Sequence, residues 1–161
     1  MDSSHSKVIL ITGCSSGFGF LTAARLASRG HHVYATMRDL NKQGALINEL
    51  KERKADAKIL RLDVGDPASI QSVIREIGAD HGHLDILVNN AGHAIGGYFE
   101  DLTQEEIRKQ METNFFGAQN VTRAALPLMR PHRSGKVINI SSISGRYGSP
   151  AFGAYNASKW A

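Results

Sequence analysis

The sequence predicts an α/β protein built on a doubly wound parallel sheet. Three observations carry that expectation. The apolar run Val8-Ile9-Leu10-Ile11 is continuous rather than alternating, as in a strand covered on both faces. It runs straight into a glycine-rich stretch, Thr12-Gly13-Cys14-Ser15-Ser16-Gly17-Phe18-Gly19, that opens a helical pattern. Apolar runs and stretches of helical periodicity then alternate to the end of the 161 residues.

Taken in order, the first strand ends at Thr12-Gly13 and a helix follows from about 18 to 29, with Leu21, Ala24, Leu26 and Ala27 apolar and Gly30 as its stop. Residues 32–36 read as a second strand. Residues 41–54 read as an amphipathic helix that turns Leu46, Ile47 and Leu50 inward. Residues 58–62 form a third strand. Asp66-Pro67 marks a helix start, an N-cap followed by proline at the first helical position, and Ile70, Val73, Ile74 and Ile77 make its apolar face. Residues 84–88 are a fourth strand, ending in Asn89-Asn90-Ala91-Gly92. Thr103-x-x-Glu106 is a capping box that opens a long helix to about Met129, with Pro127 expected to kink or break its last turn. Residues 137–141 are a fifth strand. A loop follows, and Tyr155 begins a last helix. For this connectivity the expected strand order is 3-2-1-4-5, with right-handed crossovers.

Length and composition fit one ordinary domain over 1–161: 42% of residues are hydrophobic and 21% charged. The net charge of +4 comes from basic residues scattered along the chain, with no basic stripe interleaved with aromatics, so no nucleic-acid partner is expected. Cys14 is the sole cysteine, which rules out an internal disulfide and suits a reducing compartment. The polar start and the short first apolar run supply neither a signal segment nor a membrane span, so a cytoplasmic location and no membrane partner are expected. The histidines, including His31-His32 and His81-x-His83 in predicted loops, lack partners at ligand spacing, and no metal is expected.

The glycine loop is the first feature with chemistry in it. Glycines let backbone approach a ligand without a Cβ in the way, and the helix start that follows offers free N–H groups to a phosphate. The spacing Gly13-x-x-x-Gly17-x-Gly19 is not a P-loop, since no Gly-Lys-Ser/Thr follows, and this argues against an NTPase or kinase. At the end of the second strand an acid would bind the ribose 2′-hydroxyl of NAD, whereas an arginine accommodates the 2′-phosphate of NADP. Here the stretch is Ala35-Thr36-Met37-Arg38. The expected cofactor is therefore NADP, with NAD as the alternative. Asp39 stands beyond the arginine and reads as a cap for the next helix.

The second feature is Tyr155-x-x-x-Lys159. On a helix these positions share a face. An ammonium beside a phenol favours the phenolate, which lets a tyrosine move a proton near neutral pH. Alone the spacing is common and describes many surface pairs.

Together the residues resemble a short-chain dehydrogenase/reductase of the single-domain, Rossmann type. The resemblance rests on Thr12-Gly13-x-x-x-Gly17-x-Gly19, Asp63-Val64 after the third strand, Asn89-Asn90-Ala91-Gly92 after the fourth, Asn114 in the long helix, Ser142 after the fifth, and Tyr155-x-x-x-Lys159. The stretches Thr12–Gly17 and Tyr34–Asp39 further resemble the hydroxysteroid and retinol dehydrogenase branch.

The resemblance implies hydride transfer between the cofactor and a small alcohol or ketone. Tyr155 would be the general acid/base, and Lys159 would tune it and hold the nicotinamide ribose. Ser142, chosen over Ser141 and Ser144 by its spacing to Tyr155, would bind the substrate oxygen, and Asn114 would hold a water linking Lys159 to solvent. The implied cofactor contacts are Gly13, Ser15, Ser16, Gly17, Phe18, Gly19, Arg38, Asp63, Val64, Asn90, Ala91 and Gly92, with Tyr155 and Lys159. Phe18 departs from the family's usual aliphatic residue and would alter the fit beside the pyrophosphate loop.

The resemblance also implies a homo-oligomer for the full-length form, and two more strands with a substrate-covering segment beyond Ala161. Without them the domain is incomplete on its C-terminal side, the fifth strand is an open edge, and the Tyr155 helix is only begun. The alternative function is a catalytically incomplete NAD(P)-binding fragment with a binding or assembly role.

Overall fold

The computed structural model describes residues 6–161 as a five-stranded sheet flanked by helices. The strands are β1 (Val8–Ile11), β2 (His32–Met37), β3 (Lys58–Arg61), β4 (Ile86–Asn89) and β5 (Lys136–Asn139). The helices are α1 (Gly17–Ala27), α2 (Gly44–Glu52), α3 (Pro67–His81), α4 (Gln104–Met111), α5 (Gly117–Met129) and α6 (Gly153–Trp160). All four strand pairings are parallel, in the order β3-β2-β1-β4-β5 expected from the alternation of elements. The unbroken apolar run of β1 has the expected cause. Val8 and Leu10 face a core made with Ile70, Val73, Ile77 and Val121 of α3 and α5, while Ile9 and Ile11 face Ala23, Ala24, Leu46 and Leu50 of α1 and α2.

Local signals act where they were read. Asp66 caps α3 by accepting from the N–H groups of Ala68 and Ser69, and Gly82 ends it in the left-handed conformation. Thr103 and Glu106 form the reciprocal capping box of α4. Asp39 accepts from Asn41 N–H and caps a 3-10 turn at Leu40–Lys42, so the second helix starts only at Gly44.

The long helix departs from expectation. It is interrupted not at Pro127, where α5 runs on to Met129, but by a π-helical turn at Glu112–Phe116 that contains Asn114. The sequence reads as one continuous helix and does not show the π turn, and such turns gather at functional sites. The edge strand β5 pairs only with β4 among the described residues, and all four of its residues are exposed.

His81, placed in a loop, instead ends α3, while His32 starts the strand read over 32–36. Their rings lie 4.7 Å apart between centroids. This row lies at the N-terminal edge of the sheet, away from the glycine loop. No group of three or more His, Cys, Asp or Glu able to hold a metal exists among the described residues. No helix among the described residues is long and apolar enough to cross a membrane.

Candidate active site

At the C-terminal ends of the strands lies a cleft of about 990 Å³. Ser15, Ser16, Gly17 and Phe18 line it with Gly13 on the loop after β1, Arg38 after β2, Asp63 and Val64 after β3, and Asn90, Ala91 and Gly92 after β4. Ser142, Tyr155 and Lys159 close it. Open parallel sheets bind ligands at this edge. Two expected residues stand back from the cleft. Gly19 is buried in the first turn of α1, and Asn114 lines an adjoining 410 Å³ groove with Ser158 and Lys159.

The glycine loop is braced from behind. Buried Thr12 accepts from the N–H groups of Asn90 and Ala91 on one hydroxyl oxygen, both at 3.0 Å. The Asn90 amide donates in return to the carbonyls of Thr12 and Gly13, at 2.9 and 3.1 Å. Gly13 has φ +74°, and a Cβ there would stand 2.8 Å from Ala91 Cα. A Cβ on Gly19 would collide with Asn90 Nδ2 and the Gly13 carbonyl. The loop is thus a bare backbone cradle, and Ser16 at the N-cap of α1 spends its side chain on none of the first-turn N–H groups. Free N–H groups at the positive end of a helix dipole fit a pyrophosphate.

Other cleft residues divide between scaffold and reach. Thr36 and Met37 at the end of β2 are buried, Asp39 is engaged as a cap, and Arg38 is exposed with no carboxylate partner among the described residues. Asp63 accepts from Gly65 N–H at 3.0 Å, while Asp66 does the helix capping. Phe18 is 76% exposed on the cleft rim. Burial of the Cys14 thiol, which also donates to the Ile11 carbonyl, pushes its pKa up to about 12 and makes it inert packing within the loop.

On the opposite wall, Ser142 caps a short 3-10 turn by accepting from Ser144 N–H at 3.2 Å, and it still lines the cleft. Ser144 is buried. The Tyr155 ring packs edgewise on Phe152, with centroids 6.2 Å apart. Lys159 Nζ donates to the Ile140 carbonyl at 3.0 Å. The Asn114 amide is fully engaged: Oδ1 accepts from His93 N–H at 3.0 Å, and Nδ2 donates to His93 O and Ser158 Oγ, both at 2.9 Å. Burial, then the charges of Lys109 and Arg38, lower the His93 pKa, so its imidazole is held neutral beside the cleft.

Gln110, Ile140 and Ser158 act in this site without having been singled out in the sequence, and Thr12, named there only as part of the glycine-loop motif, proves to brace the loop after β4. Gln110, fully buried, accepts from Ile95 N–H and pins the loop after β4. A buried polar residue on a helix facing a known loop is the kind of signal that marks such a role, but its partner is visible only in three dimensions. Ile140 acts through its carbonyl, for which no sequence signal exists.

Known proteins share this architecture. The chain belongs to the short chain dehydrogenase family, whose profile matches residues 7–161. It is 45% identical over 155 residues to a 3-ketodihydrosphingosine reductase of Bacteroides thetaiotaomicron, covering 96% of this chain and 54% of that protein. It is 38% identical over 158 residues to retinol dehydrogenase 8 of Homo sapiens, covering 96% and 50%. Among solved structures it matches an actinorhodin polyketide ketoreductase crystallised with NADPH, at TM-score 0.92 and 32% identity, covering 99% of this chain and 62% of that one. The chain spans about half the length of the curated relatives it matches.

Proposed function

We propose that the protein is an oxidoreductase that moves a hydride between NADP(H) and an alcohol or ketone, with Tyr155 as the general acid/base. The observation that carries this reading is a single cleft in which Tyr155, Lys159 and Ser142 face the glycine cradle across the end of the sheet. When bound, the nicotinamide cofactor supplies or accepts the hydride.

This chain's residues do the rest. The backbone of Gly13 to Gly17 and the first N–H groups of α1 hold the pyrophosphate. Arg38 neutralises the 2′-phosphate, a task for which it is free because Asp39 is occupied as a cap. Asp63 and Val64 bound the adenine side, and Asn90, Ala91 and Gly92 let backbone lie close to the ribose. Ser142 donates a hydrogen bond to the substrate oxygen and steadies charge developing there. Tyr155 gives its phenolic proton to that oxygen in reduction and takes it back in oxidation, and Lys159 stabilises the phenolate left behind. Asn114 keeps the π turn against α6 and so keeps a water path beside Lys159. The relatives' printed names, a reductase, a dehydrogenase and a ketoreductase, fit this reaction class.

The test is NADPH oxidation by the full-length protein with a panel of ketones. Tyr155→Phe lowers kcat by at least about 10²-fold while NADPH still binds. Activity undiminished in that variant overturns the mechanism.

A further inference from the structure

Helix α6 is tied to the π turn by a chain of side-chain bonds that passes through one buried hydroxyl, that of Ser158, which is 3% exposed. The direction of each bond follows from proton counting. Ser158 Oγ has one proton and donates it to the Tyr155 carbonyl at 2.8 Å, so its 2.9 Å contact with Asn114 Nδ2 runs from amide to hydroxyl. The amide orientation is fixed independently, because His93 N–H donates to Asn114 Oδ1 at 3.0 Å. Nδ2 then has two protons and two acceptors, His93 O and Ser158 Oγ. Removing the hydroxyl leaves one Nδ2 proton without its protein acceptor.

We propose that Ser158 is a positioning residue for proton transfer, locking Asn114 in the π turn to the carbonyl of Tyr155 and so setting where α6 presents Tyr155 and Lys159. The proposal rests on the proton-transfer reading above. It follows from geometry: Ser158 lies between Tyr155 and Lys159 in sequence but turns away from the cleft, toward the helix that carries Asn114. Alanine at this position keeps the helix, since it is the best helix former, and removes only the link.

The experiment uses the full-length protein with Ser158→Ala, Asn114→Ala, the double variant and Tyr155→Phe. Ser158→Ala lowers kcat roughly tenfold, in line with the sensitivity of such sites to sub-ångström misplacement. It leaves KM for NADPH within about twofold, displaces the kcat pH profile, and speeds amide exchange across residues 112–116. In the Asn114→Ala background the same substitution changes kcat by less than about twofold, because both changes break one link. An unchanged kcat and pH profile, or the same fold loss in both backgrounds, or a loss that only follows a fall in Tm, overturns the proposal. If Tyr155→Phe is fully active, the proton-transfer reading itself has failed. If Tyr155→Phe is inactive and Ser158→Ala is normal, only this inference has failed.

Discussion

Lys159 Nζ donates to the carbonyl oxygen of Ile140 at 3.0 Å, so the first residue beyond β5 holds the lysine of α6 in place. The ammonium has two further protons, and Gly92 leaves room for them. A Cβ on Gly92 would stand 3.1 Å from Asn114 Oδ1 and 3.6 Å from Lys159 Nζ. The first distance is tight, and Asn114 Oδ1 is held by His93 N–H; the second is ordinary contact that leaves Lys159 where it is. Gly92→Ala therefore lowers kcat by about tenfold through displacement of Asn114, which braces the helix that carries Lys159. Its stability cost is about 1 kcal/mol, at the low end for overpacking, measured by denaturant titration.

The loop glycines separate two effects that a sequence motif merges. Gly13 combines φ +74° with a crowded Cβ position, Gly19 has crowding without positive φ, and Gly17 has φ +60° with nothing within 4 Å. Alanine at Gly17 costs only the left-handed conformation, about 1–2 kcal/mol. Alanine at Gly13 adds a clash with the Ala91 backbone and costs more, about 2–4 kcal/mol from strain and overpacking together. Thermal melts of the three variants therefore rank Gly17→Ala as the mildest. NADPH affinity follows a different order, since Gly13 and Gly17 line the cleft and Gly19 does not.

The parallel sheet and its order were legible because each β-α unit carries its own punctuation. Asp66-Pro67 and the Thr103–Glu106 box are short-range signals, and short-range signals survive into the fold. The cleft was legible because its residues sit at strand ends, where connectivity alone brings them together. Ser158, Gln110 and the Ile140 carbonyl were not, because their roles depend on which helix face meets which loop. The π turn at Glu112–Phe116 belongs to the same class: it holds Asn114 against His93 and Ser158, partners that no short-range pattern names.

Arg38 gives the cofactor preference a direct test. It is exposed at the end of β2, lines the cleft and has no carboxylate partner among the described residues. Arg38→Ala weakens NADPH binding by roughly 10–100-fold, the loss of about 1.5–3 kcal/mol for a charged hydrogen bond, and leaves NADH affinity nearly unchanged. Titration of both nucleotides by intrinsic fluorescence measures the ratio. Equal losses for the two point to a damaged cleft rather than a lost phosphate contact.

The row of imidazoles at the other edge of the sheet makes stability fall on mild acidification. The His81 ring lies 4.7 Å from His32, 6.3 Å from His83 and 5.8 Å from the Tyr34 ring, between centroids. Burial lowers the His81 pKa first, the charge of His32 adds to this, and those of His83 and Lys58 add less, while Asp80 opposes them. The folded chain thus resists a proton that the unfolded chain accepts near the ordinary histidine value of about 6.5. Below that pH the unfolded state binds more protons, and stability falls as pH drops toward the lowered folded value. His93, lowered chiefly by burial, acts in the same direction and window. Asp80, lowered by its bonds with Lys58 and Tyr34, acts only at the lower pH where carboxylates titrate. In urea melts between pH 7.5 and 5.5, His81→Gln flattens the decline and His81→Gln/His93→Gln flattens it further. A slope that neither variant changes assigns the acid sensitivity to other groups.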